Sequence, residues 1–134
     1  MLTLVDTNVL VDVAAEDSAW FDWSVSQLRR ATDRGGVAIN PIIYAELSVH
    51  FETAEALEGA LAMFKFERLS LPWEAAFVAG KAYLRYQRRG GIKRSPLPDF
   101  YIGAHAAVVG LTLLTRDARR YHEYFPRLKL ISPD

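Results

Sequence analysis

Short β-branched or apolar runs of three or four residues recur along this chain, each followed by a longer segment of helical periodicity. That alternation admits one layered architecture, a mainly parallel sheet with helices packed against it. The runs fall at residues 2–5 (LTLV), 37–39 (VAI), 69–71 (LSL), 111–114 (LTLL) and 128–131 (LKLI). Between them the pattern predicts a short helix over 8–14 and an amphipathic helix capped by Ser18 that runs to about residue 34, where Gly35 and Gly36 end it. Asn40 followed by Pro41 is an N-cap with proline at the first helical position. Further helices are predicted over 53–66, from Pro72 to near Gly90, over 98–109 and from Asp117 to about 124. The expectation is an α/β fold of three layers, with four to five short strands, in a single domain spanning 1–134. There is no internal repeat, linker or low-complexity segment.

Four of these junctions carry a carboxylate. Asp6 (LTLVD) and Asp117 (LLTRD) follow strands, Asp99 (PLPDF) lies in the first turn of a helix, and Glu46 (IIYAE) stands within two turns of a helix start. The carboxyl edge of an open parallel sheet is where ligands bind, at the point where the strand order reverses. Taken singly, an Asp between a strand and a helix is ordinarily an N-cap, and a lone helical Glu is ordinarily a solvated surface residue. Together, and with apolar flanks around Asp6, Glu46 and Asp99, they describe acids carried at the edge of the core, where an unpaired carboxylate is costly and wants a partner. Oxygen-only donors of this kind suit a hard divalent cation, Mg²⁺ or Mn²⁺, and such sites promote phosphodiester hydrolysis.

Composition narrows the chemistry. The chain has no cysteine, hence no disulfide, thiolate nucleophile or Cys-based zinc site, which agrees with a reducing, cytoplasmic compartment. Its 16 basic and 16 acidic residues balance, so no global field draws it to a polyanion; with the four acids neutralised by a cation, a basic excess remains. The longest apolar stretch, 106–114, is interrupted by Gly110 and Thr112 and falls well short of the ~20 residues a membrane span requires. The start reaches Asp6 without a basic segment ahead of its apolar run, unlike a secretory signal. His50, His105 and His122 lie in separate elements and form no metal-ligand motif, and no G-x-S-x-G, G-x-G-x-x-G or P-loop pattern is present.

With these residues in place, the sequence resembles a PIN-domain ribonuclease, specifically the VapC-type toxin of bacterial toxin–antitoxin pairs, over nearly the whole chain. Asp6 and Asn8 in VDTNVLVD match the opening of the family motif, Glu46 its helical acid, Asp99 in PDFYIGAHA the third acid, and Asp117 with Thr115 in LLTRDARRY the fourth. The resemblance implies a metal-dependent endoribonuclease in which Asp6, Glu46, Asp99 and Asp117 are catalytic and hold Mg²⁺ or Mn²⁺, with Asn8 and Thr115 supporting them from behind. It further implies structured RNA (transfer or ribosomal) as substrate, neutralisation by a VapB-like antitoxin, and a homodimer.

Contacts to RNA have a weaker signal. Arg88, Arg89, Lys93 and Arg94 belong to a run without acids just upstream of Asp99, and Arg116, Arg119 and Arg120 flank Asp117; these are the candidate phosphate contacts, although cationic residues also simply complement a helix C-terminus. Tyr83, Tyr86 and Tyr101 are candidates for base stacking or for ordinary core. Trp20, Phe21 and Trp23 crowd three aromatics into four positions, more than one helix face buries, so one is a candidate partner contact. Two other readings stay open. In one the acids are caps and the chain is a non-enzymatic interaction module. In the other it is a Mg²⁺-dependent phosphatase, since Asp6-Thr7-Asn8-Val9 faintly resembles the aspartyl nucleophile loop of haloacid-dehalogenase-like enzymes; that motif, however, wants an Asp where Asn8 stands.

Overall fold

The computed structural model describes residues 1–90 and 97–133. Its elements, in chain order, are β1 (Thr3–Val5), α1 (Thr7–Ala14), α2 (Phe21–Arg34), β2 (Val37–Ile39), α3 (Pro41–Ser48), α4 (Ala54–Leu61), β3 (Phe66–Arg68), α5 (Trp73–Arg88), α6 (Leu97–Val109), β4 (Thr112–Leu114), α7 (Arg119–Tyr124) and β5 (Leu130–Ile131). The strands form one sheet in the order β3-β2-β1-β4-β5, and every pairing is parallel. The chain therefore begins in the middle of the sheet, builds outward through β2 and β3, then crosses over to lay down β4 and β5 on the other flank. The reversal falls between β1 and β4, and it opens a crevice at their carboxyl ends.

Helices cover the sheet, so the central strands need no polar face. Leu4, Val5, Val37, Ala38, Ile39, Leu113 and Leu114 are all buried, as continuous apolar runs in a parallel sheet require. The flanking strand β3 is more exposed, and its Glu67 and Arg68 place charge on an edge that would otherwise invite pairing with another chain. Helix α5 lies along α6, burying the small side chains of Ala75, Ala79 and Ala82. Phe100 of α6, fully buried, centres an aromatic cluster with Tyr83, Tyr86 and Tyr124, whose ring centroids lie 6.1, 5.7 and 5.1 Å away. Tyr83 and Tyr86 thus belong to core packing.

The predicted α/β class, strand count and five-strand parallel arrangement hold, and three local expectations change. The helix predicted over 53–66 is capped by Thr53 and stops at Leu61, and Phe66 instead opens β3. Leu57, Leu61 and Phe64 keep helical spacing, which masks the switch to period two at Phe64-Lys65-Phe66-Glu67, where the two phenylalanines pack inward with ring centroids 6.2 Å apart. The strand predicted at 69–71 accordingly moves to Phe66–Arg68, in register with Val37–Ile39. The start of α2 is organised by Asp17, whose Oδ1 accepts from the backbone N–H of Ala19 and Trp20 at 2.9 Å each, and not by Ser18. A carboxylate that accepts two backbone bonds outcompetes the neighbouring hydroxyl. Trp23 and Phe21 pack against the core, and Trp20 meets Trp23 edge-on at 6.0 Å.

Asn40 shows how tightly one cap is built into the interior. Its Oδ1 accepts from the Ile43 N–H at 2.9 Å, and its Nδ2 donates to Nδ1 of His105 on α6 at 2.9 Å, so both ends of the buried amide are used. That bond makes Nδ1 an acceptor and keeps the ring neutral, in accord with burial, which holds the His105 pKa below its ordinary value. Asn40→Ala removes the cap and leaves the His105 acceptor unsatisfied; a loss of about 2–3 kcal/mol of stability is expected, read as a lower urea midpoint with unchanged slope.

Candidate metal centre

The crevice between β1 and β4 is lined by side chains from four elements. Asp6 leaves the end of β1 and caps α1, its Oδ1 accepting from the Thr7 N–H at 2.7 Å. Its Oδ2 accepts from the Thr115 hydroxyl at 2.8 Å and from the Tyr121 hydroxyl of α7 at 2.9 Å. Only 4% of Asp6 is exposed, and Thr115 is fully buried. Burial, reinforced by the charge of Asp99, raises the Asp6 pKa from 3.8 to about 7, against the pull of the hydrogen bonds from Thr115, Tyr121 and Thr7. The same burial, followed by the charges of Asp6 and Asp99, pushes the Tyr121 phenol well above its ordinary range.

The other acids gather around this carboxylate. Glu46 reaches in from α3, its Oε1 accepting from the Thr7 hydroxyl at 2.6 Å, so one residue contacts both Asp6 and Glu46. The Glu46 pKa is raised first by burial and further by the charge of Asp99, while the Thr7 hydrogen bond lowers it. Asp99, in the first turn of α6, is raised by burial and by the nearby Asp117, with Arg120 opposing both. Arg120 NH1 donates to Asp99 Oδ2 at 2.7 Å. Asp117, after β4, is exposed; its backbone N–H donates to the Thr115 hydroxyl at 3.1 Å and its side chain borders an open cleft.

All four predicted acids therefore lie at the carboxyl edge, and mutual repulsion couples Asp6 to Asp99, Glu46 to Asp99 and Asp99 to Asp117. An all-oxygen set of crowded, partly desolvated carboxylates fits a hard divalent cation. Among the described residues, no three Asp, Glu or His side chains stand close enough to hold one ion together. Each of the three more enclosed acids is instead drawn onto a donor of the chain itself: Asp6 onto Thr115 and Tyr121, Glu46 onto Thr7, Asp99 onto Arg120.

Asn8 and Thr115 stand behind these acids. Asn8 Oδ1 accepts from the Arg116 N–H at 3.1 Å, and its Nδ2 lies 3.4 Å from the Thr115 hydroxyl, so it joins α1 to the loop after β4. Arg116, a candidate RNA contact by sequence, is committed elsewhere: Nε and NH2 donate to the two oxygens of Asp12 at 2.7 and 2.9 Å, and the guanidinium lies 5.1 Å from the Trp20 ring. Asp12 is 2% exposed and also accepts from Ser24 at 3.0 Å. Arg89 pairs with Glu123 at 2.9 Å and lies over Tyr124, whereas Arg88 is exposed in the last turn of α5. Lys93 and Arg94 fall outside the described residues.

Sequence reasoning missed Tyr121, Thr7 and Gly103, and it noted Arg120 without its pairing to Asp99. Tyr121 and Thr7 sit within a few positions of recognised acids, but residue order alone does not tell which way a helix turns them. Gly103 of α6 permits the approach of α7: a Cβ there would stand 2.6 Å from the Phe125 ring and 3.1 Å from that of Tyr121.

A parallel α/β fold with acids gathered at its switch point belongs to the class of open sheets whose ligands bind in the crevice at the carboxyl edge. This chain belongs to the PIN-domain family, whose model matches residues 3–126. Solved structures share the fold: VapBC2 of Rickettsia felis bound to a promoter DNA fragment (22% identity, all of both chains covered, TM-score 0.74) and DNA-bound VapBC of Salmonella typhimurium (24%, 98% of both chains, TM-score 0.71). VapBC-1 of nontypeable Haemophilus influenzae is similar as well (18%, 98% of both chains, TM-score 0.70). No curated protein sequence matches the chain at a significant level. No helix among the described residues is long and apolar enough to cross a membrane.

Two outcomes follow from this geometry. A carboxyl whose folded pKa is raised binds more protons in the native state than in the unfolded state, so stability falls as pH rises through the interval between the two values. For Asp6 that interval runs from 3.8 to about 7. His105 acts in the opposite sense but only below its unfolded value of 6.5. Cation-free protein should therefore gain about 1 kcal/mol, or about 3 °C in melting temperature, as pH is lowered from about 8 to about 6.5. Calorimetry in chelator should find that gain in the wild type and a flat profile in Asp6→Asn. Gly103→Ala should cost about 1–3 kcal/mol by overpacking against Phe125 and Tyr121, seen in chemical denaturation.

Proposed function

We propose that the protein is a Mg²⁺- or Mn²⁺-dependent endoribonuclease acting on structured RNA (transfer or ribosomal), the VapC-type toxin of a toxin–antitoxin pair. The observation that carries this reading is the Asp6 carboxylate, nearly sealed from solvent yet repelled by Asp99, which in turn interacts with Glu46 and Asp117 at the carboxyl edge of the sheet. Four acids so arranged make a poor structural cap cluster, since their mutual repulsion weakens the fold unless a cation relieves it. When bound, a divalent ion supplies charge neutralisation at the phosphodiester and lowers the pKa of water beside it.

The chain's own residues do the rest. Thr115 and Tyr121 fix the direction of Asp6 Oδ2, and Thr7 fixes both Asp6 and Glu46, so these carboxylates are oriented before a ligand arrives. Asp117 borders a cleft of about 410 Å³ that Arg89, Glu123, Arg119 and Arg120 also line; with Arg89 paired to Glu123, Arg119 and Arg120 supply the cationic side chains suited to a phosphate backbone. The phosphatase reading loses ground at Asn8, which stands where its nucleophile loop wants an Asp.

Partners follow from the same reading. The similar folds found in VapBC complexes support a VapB-like antitoxin. On α5, Trp73 and Phe77, 91% and 68% exposed, form with Leu84 an apolar stripe that supports a homodimer.

Incubated with total RNA and Mn²⁺, the purified protein free of any antitoxin should release discrete fragments, and chelator should abolish them. Asp99→Asn should lower the rate about a hundredfold or more, and Thr115→Val about tenfold to a hundredfold through misorientation of Asp6. Intact RNA in the wild-type lane would refute the assignment.

A further inference from the structure

The crevice contains one cation of its own. Among the described residues four salt bridges form, and only that of Arg120 involves any of the four acids; Arg68, Arg89 and Arg116 pair with Glu58, Glu123 and Asp12. The Arg120 and Asp99 side chains are each 35% exposed, so their pair is partly screened and of the order of 1 kcal/mol, weak enough to break. It nevertheless occupies Asp99 Oδ2, an oxygen that a cation shared among the acids needs.

While paired with Asp99, the guanidinium also stands against aromatic rings at the edge of the cleft. Arg120 lies 5.5 Å from the centroid of Tyr86 and 6.0 Å from that of Phe100, and it lines the cleft with Tyr86, Arg89, Asp117 and Arg119. Those ring contacts do not involve the carboxylate and would remain when the pair opens. From this position a rotation of the side chain exchanges a carboxylate inside the crevice for an anion in the cleft.

We infer that Arg120 is a displaceable counter-ion: it neutralises Asp99 while the acids hold no metal, yields Asp99 to an incoming divalent cation, and then offers its guanidinium to the phosphate of the substrate in the cleft. The inference rests on the metal-dependent nuclease reading and extends it to an order of events. Cation loading strengthens phosphate binding because it frees Arg120, and by linkage phosphate binding strengthens cation loading by the same factor. Arg120 is thereby a positioning residue whose role appears in binding as well as in turnover.

Calorimetric titration with Mn²⁺ and anisotropy of a labelled 2′-O-methyl oligoribonucleotide, which resists cleavage, test this on the intact chain. Arg120→Gln should bind Mn²⁺ about fivefold more tightly than wild type, since the competitor for Asp99 is gone. Arg119→Gln, which removes a charge from the same cleft without touching Asp99, should change Mn²⁺ affinity by less than about twofold. In wild type Mn²⁺ should tighten oligonucleotide binding several-fold, and in Arg120→Gln that enhancement should be several-fold smaller. Arg120→Lys, retaining a cation that can reach Asp99, should fall between the two and guards against a folding defect, monitored by circular dichroism. Equal Mn²⁺ affinity in Arg120→Gln and Arg119→Gln, or an enhancement as large in Arg120→Gln as in wild type, overturns the inference while leaving the nuclease reading intact. Absence of Mn²⁺ binding by wild type overturns both.

Discussion

Everything in this protein is arranged around a carboxylate that water scarcely reaches. Asp6 stands at the end of the central strand, 4% exposed, with its charge opposed by low polarity and by neighbouring acids. A chain that only needed to cap α1 would gain as much from an exposed Asp or Asn. Instead, two hydroxyls and a backbone N–H converge on Asp6, and each comes from an element that other contacts lock in place. The site lowers the stability of the cation-free fold, and the apolar strands on either side of it carry that burden.

Those supports are of different physical kinds. Tyr121 reaches Asp6 because Gly103 lets α7 approach α6 at a distance no side chain tolerates. Glu46 is placed by α3, whose first turn is anchored to α6 through Asn40 and His105. Thr115 is placed by β4, the parallel neighbour of β1, and its loop is tied to α1 by Asn8. Backbone clearance and sheet register thus both orient Asp6, and a buried amide network places the helix that carries Glu46.

Much of the frame is legible in the residues themselves. Strand runs such as Val37–Ile39 and the Asn40-Pro41 start are recognised because their signals are local: β-branching, a capping amide, a missing N–H. The acids were legible as a set because Asp6, Asp99 and Asp117 stand where elements begin or end, and Glu46 follows an apolar run on a helix with a clear start. What escapes a linear reading is orientation and exchange of partners. Nothing in TRDARRY says that Arg116 turns back to Asp12 while Arg120 turns in to Asp99, since both depend on how α7 and α1 pack. The boundary at Phe66 escaped for a related reason, because the apolar spacing through Phe64 satisfies helix and strand alike until β2 supplies a partner.

The Asp12–Arg116 pair has a meaning beyond holding two loops together. Its carboxylate is fully enclosed, its bidentate geometry defines both distance and angle, and a buried pair of this kind contributes more to uniqueness of structure than to net stability. It clamps the helix that follows β1 to the loop that follows β4, the two walls of the crevice. The spacing of those walls is therefore settled when the chain folds. A ligand entering such a crevice would meet walls already held apart, and little configurational entropy would be lost in receiving it.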